Sequence, residues 1–158
     1  MKQDGTEAEI EEEGELWLKG VVCTPGYWRN EKATKEAFNS GWFKTGDVLV
    51  QDSEGYFFVK DRIKNMFISG GENVYPAEVE RVLQMHPSIE EVAVVGVSDS
   101  QWGEVGKALV YTRDQITKED ILEYCKGKLA KYKIPKFIQF TNELPKTESG
   151  KIDRKSLS

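Results

Sequence analysis

Ser69-Gly70-Gly71-Glu72-Asn73-Val74-Tyr75-Pro76-Ala77-Glu78-Val79-Glu80 is the stretch on which the fold turns. Met66-Phe67-Ile68 before it has strand chemistry, and Ser69-Gly70-Gly71 stops that strand. Pro76 suits the first turn of a helix, where its missing N–H removes no bond. Val79, Val82 and Leu83 then recur at helical spacing, and Pro87 ends the run. Strand, glycine turn and helix in so short a span predict a small α+β unit.

The residues downstream extend it. Val92 to Val97 is almost continuously apolar, which predicts a strand covered on both faces. Ala108 to Tyr111 is another strand. Thr117-Lys118-Glu119-Asp120 has the form of a capping box, with the acid at the third helical position. Ile121, Leu122, Cys125 and Leu129 supply that helix with a buried stripe, and Ile134-Pro135 breaks it. Phe137 to Phe140 is the last strand. The second half is therefore expected to hold a small mixed sheet with two or three helices. His86 precedes Pro87 at a helix end, where a capping or surface role is expected.

Upstream the pattern changes. Glu15 to Lys19 alternates polar and apolar residues, the period of a half-buried strand. Gly20 to Pro25 is a second strand or a bend, and Gly26 to Asn30 an aromatic turn. Thr34 to Phe38 forms a short helix, ended by Asn39-Ser40-Gly41. Trp42-Phe43-Lys44 is a short strand entering Thr45-Gly46-Asp47. Val48 to Val50 and Tyr56 to Lys60 flank the turn residues Asp52-Ser53-Glu54-Gly55, which predicts a hairpin. Residues 1–60 are thus expected to form a small β subdomain, 61–65 a charged break, and 66–158 the α+β domain. The Glu-rich residues 1–13 are expected to form a turn or a loosely held terminus.

Composition narrows the function. The chain has 158 residues, a net charge of −5, 39% hydrophobic and 31% charged residues, which predicts a thin core and much surface. An acidic balance argues against nucleic acid as the partner. Cys23 and Cys125 are too far apart and too few for a zinc site or a disulfide framework, so reduced thiols and a cytoplasmic setting are expected, with no metal site. The single histidine, His86, is expected at a helix end in a capping or surface role, which leaves none for a Ser-His-Asp triad. No apolar run approaches the ~18 residues of a membrane span.

Near the end stands Pro145-Lys146-Thr147-Glu148-Ser149-Gly150-Lys151-Ile152. Gly150 permits a tight turn, which would throw Lys151 outward as a mobile cationic arm. A compact ammonium on a flexible stem suits a phosphate or a carboxylate. The segment is not a Walker loop, because Lys146 stands at the first glycine position and Ile152 follows the lysine.

Gly41 to Asp47, Asp61 to Lys64 with Ser69 to Glu80, and Pro145 to Ile152 stand in one order. Together they resemble the C-terminal part of AMP-forming acyl-CoA synthetases, of the adenylate-forming family. Gly14-Glu15-Leu16-Trp17 and Gly26-Tyr27-Trp28 fit the same pattern. The resemblance is closest to fatty-acyl and o-succinylbenzoate CoA ligases. It implies two half-reactions: a carboxylate attacks the α-phosphate of ATP, with Mg2+, and coenzyme A then displaces AMP. It implies that the C-terminal domain is mobile and rotates between the two steps.

The resemblance also assigns residues. Asp47 resembles the aspartate that accepts from the ribose hydroxyls. Arg62 resembles the arginine that reaches the same sugar. Lys64 falls at the hinge. Ser69, Gly70 and Gly71 resemble the loop that meets coenzyme A in the thioester step. Lys151 resembles the lysine that bridges the substrate carboxylate and the α-phosphate, and it is a candidate for regulatory acetylation. The phosphate loop and acyl pocket of the family have no counterpart here. The chain is therefore expected to be a fragment, inactive alone, whose partners are its own missing N-terminal domain, a small carboxylic acid and, through that domain, a second copy. Two other functions are consistent with the same residues: an adenylation unit that loads a carrier protein, and a non-catalytic binding module.

Overall fold

The alternating run around residue 16 forms strand β1 (Glu13–Leu18). Helix α1 (Glu31–Ala37) follows, capped by Asn30, whose Oδ1 accepts from Ala33 N at 3.0 Å. Strands β2 (Phe38–Asn39) and β3 (Trp42–Gln51) make a hairpin through Ser40 and Gly41, both at positive φ (+50° and +83°). That left-handed pair matches the twist of the strands it joins. The expected stop after the helix is thus a two-residue turn. Trp42 to Val50, expected as two short strands, runs as one. Strand β4 (Phe57–Arg62) returns along β3, after a turn in which Asp52 Oδ1 accepts from Glu54 N and Tyr56 N at 2.9 and 2.8 Å. Strand β3 pairs antiparallel with β1, β2 and β4, so it is the spine of the sheet.

Among residues 1–2 and 4–13 the turn alternative holds, and the segment is tied to the sheet rather than loose. The Met1 ammonium donates to Glu15 O at 2.8 Å, Glu15 N donates to Met1 O at 2.7 Å, and Glu11 N donates to Gln51 O at 2.8 Å. The backbone groups left open along β1 need partners, and the acidic segment supplies them despite its composition.

The structure, a computed structural model, describes residues 1–2 and 4–157. It divides into two units, one ending at Lys64 and the other beginning at Asn65. In the second, β5 (Phe67–Ser69) and β6 (Glu72–Val74) form a hairpin through Gly70 and Gly71, at φ +61° and +89°. The glycines therefore turn strand into strand, and the helix starts only after β6. Helix α2 (Pro76–Gln84) has proline in its first turn and buries Pro76, Val79 and Leu83. Strands β7 (Glu91–Asp99) and β8 (Gly103–Tyr111) pair antiparallel along their full length. Helix α3 (Lys118–Cys125) carries the complete Thr117–Asp120 capping box. Strand β9 (Phe137–Thr141) runs parallel to β8. The class is α+β with one mixed sheet.

Alternation along β7 sorts its side chains between two layers. Val92 and Val94 join Val79, Leu83, Ile121 and Cys125 under the helices. Ala93 and Val95 face the other way, against Leu109, Leu144 and Leu157. The strand is covered on both faces as its apolar run implies, yet the second cover is the C-terminal tail rather than a helix. Helix α3 is shorter than its stripe suggests. Leu129 reaches the core from a turn after Cys125, where Gly127 takes φ +74°, so Pro135 does not end the helix. His86 caps locally, its Nδ1 accepting from Ser88 N at 3.2 Å, with its ring edge-on to Tyr124. Among the described residues, no helix is long and apolar enough to cross a membrane and no cluster of three metal-ligating side chains occurs.

Candidate functional site

Asp47 owes its position to an irregularity in β3. Opposite Leu16 of β1 stand three residues, Thr45, Gly46 and Asp47. Thr45 Oγ1 donates to Leu16 O at 2.9 Å and accepts from Asp47 N at 3.1 Å, while Gly46 N donates to Glu15 Oε1 at 3.0 Å. Gly46 takes φ +75°, a conformation that side chains resist. The kink re-aims the following carboxylate. Arg62 stands opposite Asp47 in the β3–β4 register, and its Nε lies 2.8 Å from Asp47 Oδ1. The two side chains keep 55% and 30% of their surface exposed.

The segment around Arg62 is not the solvated break expected from its charge. Asp61 and Arg62 belong to β4, and Asp61 is buried, with Oδ1 accepting from Arg62 N at 2.7 Å. Lys64 lies in a short 3-10 turn, Ile63–Asn65, exposed, and is the last residue of the first unit.

The glycine hairpin of the second unit rests on Trp102. Gly70 N donates to Trp102 O at 2.9 Å, and a Cβ on Gly70 would lie 2.6 Å from Trp102 Cε3. Gly71 faces open space, and Ser69 is buried. Asp99 builds the turn that presents Trp102. Its Oδ1 accepts from Gln101 N and Trp102 N at 3.0 and 3.1 Å, and its Oδ2 takes Lys136 Nζ at 2.5 Å. The Lys136 hydrogen bond, and then that from Gln101 N, hold the Asp99 carboxyl below its ordinary range.

Lys151 sits on a second hairpin. Lys146 and Ile152 bridge, Thr147 N donates to Lys151 O at 2.7 Å, and Gly150 N donates to Thr147 O at 2.8 Å with Gly150 at φ +78°. The Lys151 side chain is exposed, with no ion pair or hydrogen bond among the described residues. The base of this hairpin is anchored, however. Lys146 pairs with Glu91 at 2.7 Å, and Leu144, Ile152 and Leu157 pack against β7 and β8. Arg154 forks onto Glu80 of α2, Nη1 to Oε1 at 2.6 Å and Nη2 to Oε2 at 2.7 Å. The tail is thus packed rather than a loose polar end.

Asp47 and Arg62 are therefore brought together in one unit. The glycine hairpin and Lys151 hang on different strands of the other. Glu80, Asp99, Trp102 and Arg154 escaped the sequence analysis. Apolar residues at 144, 152 and 157 in a polar tail were the one available signal that it packs.

Residues 78–151 match the family model of the AMP-binding enzyme C-terminal domain. Among curated proteins it is 45% identical to the 2-succinylbenzoate–CoA ligase of Bacillus licheniformis, over 99% of this chain and 33% of that one. It is 46% identical to the long-chain-fatty-acid–CoA ligase FadD13 of Mycobacterium tuberculosis, over 89% of this chain and 28% of that one. Among solved structures, the o-succinylbenzoate CoA synthetase of Bacillus subtilis in complex with its acyl-adenylate intermediate superposes with a TM-score of 0.94 at 41% identity. That match covers 99% of this chain and 32% of the other. The chain spans about a third of the length of these relatives.

Proposed function

We propose that this chain is the C-terminal portion of an AMP-forming acyl-CoA synthetase, which activates a carboxylic acid with ATP and passes the acyl group to coenzyme A. The observation that carries the proposal is the exposed Lys151 ammonium, without a partner among the described residues, on a hairpin whose base is held at several points. A cation free at its tip and fixed at its root is suited to meet charge that develops in a transition state. The similarity to CoA ligases supports the same conclusion.

In this proposal Asp47 accepts from the ribose hydroxyls, since a carboxylate offers only acceptors and two vicinal hydroxyls only donors. Arg62 orients that carboxylate and reaches the sugar itself. Lys151 bridges the substrate carboxylate and the α-phosphate while the C–O–P bond forms and pyrophosphate leaves. Lys64, at the junction of the two units, absorbs the backbone change between the half-reactions. The glycine hairpin then admits the thiol arm of coenzyme A, because Gly71 presents bare backbone. Magnesium would enter with the ATP phosphates, and among the described residues no cluster of three metal-ligating side chains occurs.

The partner is the upstream two-thirds of the parent enzyme. Phe57, Phe58 and Val59 are each more than half exposed on successive positions of β4, so both faces of that strand want a cover. A cytoplasmic setting belongs to the same proposal, since ATP and coenzyme A would both be supplied there. Succinylbenzoate and long-chain fatty acids, named by the relatives, head the list of acids.

The test uses the full-length parent with ATP, magnesium and a panel of acids, following pyrophosphate release with and without coenzyme A. Turnover that needs both one acid class and coenzyme A is expected. Lys151→Ala should cripple pyrophosphate release, leaving a small measurable residue, and spare thioester formation from preformed acyl-adenylate. Equal loss of both half-reactions removes Lys151 from its role, and release independent of coenzyme A points to carrier loading instead.

A further inference from the structure

We propose that Glu80 and Arg154 are positioning residues for Lys151, fixing the hairpin that carries it to the edge of the sheet. The inference rests on the function proposed above for Lys151.

The geometry is a closed clamp on one residue of β7. Among the described residues strand β7 pairs with β8 only, so its other edge is open to side-chain partners. At Val94 both backbone groups are taken up by this ion pair. Val94 N donates to Glu80 Oε1 at 2.7 Å, and Val94 O accepts from Arg154 Nη1 at 2.9 Å. The same two side chains join each other in a fork at 2.6 and 2.7 Å. Helix α2, strand β7 and the tail are thus fastened at one point. Glu80 and Arg154 are only 16% and 26% exposed, so solvent screens the pair weakly.

The clamp lies three residues from Lys151. Ile152 between them packs on the same sheet, and Asp153 N donates to Pro145 O at 2.8 Å, so little slack remains. The other arm of the hairpin is held by the exposed Lys146–Glu91 pair, where side chains keep 47% and 39% of their surface. Exposed pairs of that kind restrain weakly. The Glu80–Arg154 fork is the stronger electrostatic hold and the directional one, because a planar guanidinium on a carboxylate fixes angle as well as distance. Lys151 can reach a developing charge only if its root is in register, and a misplacement of about 1 Å is able to cost roughly 100-fold in rate.

The experiment uses the full-length parent and measures the half-reactions separately. Arg154→Gln and Glu80→Gln are each expected to slow ATP–pyrophosphate exchange roughly 10- to 100-fold, with thioester formation from preformed acyl-adenylate changed less than about twofold. Arg154→Lys keeps charge without the fork and should recover part of the loss. In a Lys151→Ala background Arg154→Gln should add nothing, since it acts through that lysine. Equal loss in both half-reactions, or full additivity with Lys151→Ala, overturns the inference and leaves a purely structural pair. Hydrogen exchange gives a readout that needs no activity. Arg154→Gln should speed exchange at the Thr147 and Gly150 amides and leave β8 protected. Unchanged hairpin protection overturns the clamp itself, whereas an unsubstituted parent with no exchange activity for any acid overturns the function on which it rests.

Discussion

Arg62 and Asp47 face each other across β3 and β4, with Nε 2.8 Å from Oδ1. The contact is half in water, so its contribution to stability is about 0–1 kcal/mol. One edge of the carboxylate is held while the other stays open, which suits a ligand better than a structural lock. In the full-length parent, Asp47→Asn should raise the KM for ATP roughly tenfold, the loss of about one charge-assisted bond, and move the melting temperature little. An unchanged KM would remove Asp47 from the nucleotide site.

The two glycines of the β5–β6 hairpin should behave differently. Both need positive φ, which costs an alanine about 1–2 kcal/mol. Only Gly70 also meets Trp102, within 2.6 Å of a built Cβ. Gly70→Ala must displace that ring, so the thioester step should slow roughly tenfold or more while pyrophosphate release holds. Gly71→Ala should show the strain alone in a denaturant melt. Identical effects on both steps would mean that the hairpin is only a turn.

Asp99 makes acid stability a local question. Lys136 foremost, and then Gln101 N, hold its folded carboxyl below the ordinary range. The unfolded chain regains a value near about 3.9, so it takes up a proton first as pH falls. Stability from Asp99 is therefore complete above that value and lost as pH drops through the lower, folded one. Asp99→Asn should flatten part of the fall in urea midpoint below about pH 4. Asp4, Glu12 and Asp120 are held low as well and should keep the rest of the slope.

The two thiols should separate cleanly. Cys125 is fully buried, and burial pushes its thiol up, so thiolate is scarce in the folded chain. Cys23 is partly exposed. A thiol-reactive dye at pH 8 should modify Cys23 while Cys125 waits for unfolding, and Cys23→Ser should delete the fast phase. Early labelling of Cys125 would show that the α3 core opens locally.

What the sequence determined by itself lies within short windows. Pro76 with Val79 and Leu83, the Thr117–Asp120 capping box and the turn at Asp52 to Gly55 are local chemistry, so α2, α3 and the β3–β4 hairpin were legible. The candidate residues Asp47, Arg62, Gly70, Gly71 and Lys151 were proposed from the same kind of window, through the motifs that hold them. Strand β6 was missed because two glycines stop a strand equally well before a helix or a second strand. The tertiary structure alone decided what supports the site. Glu80 meets Arg154 across 74 positions, Lys136 meets Asp99 across 37, and Glu15 reaches Gly46 across 31. Such contacts leave no period in the sequence, because they depend on where each sheet carries side chains that are remote along the chain. The residue types that do chemistry can be read from one dimension, and the groups that hold them still only from three.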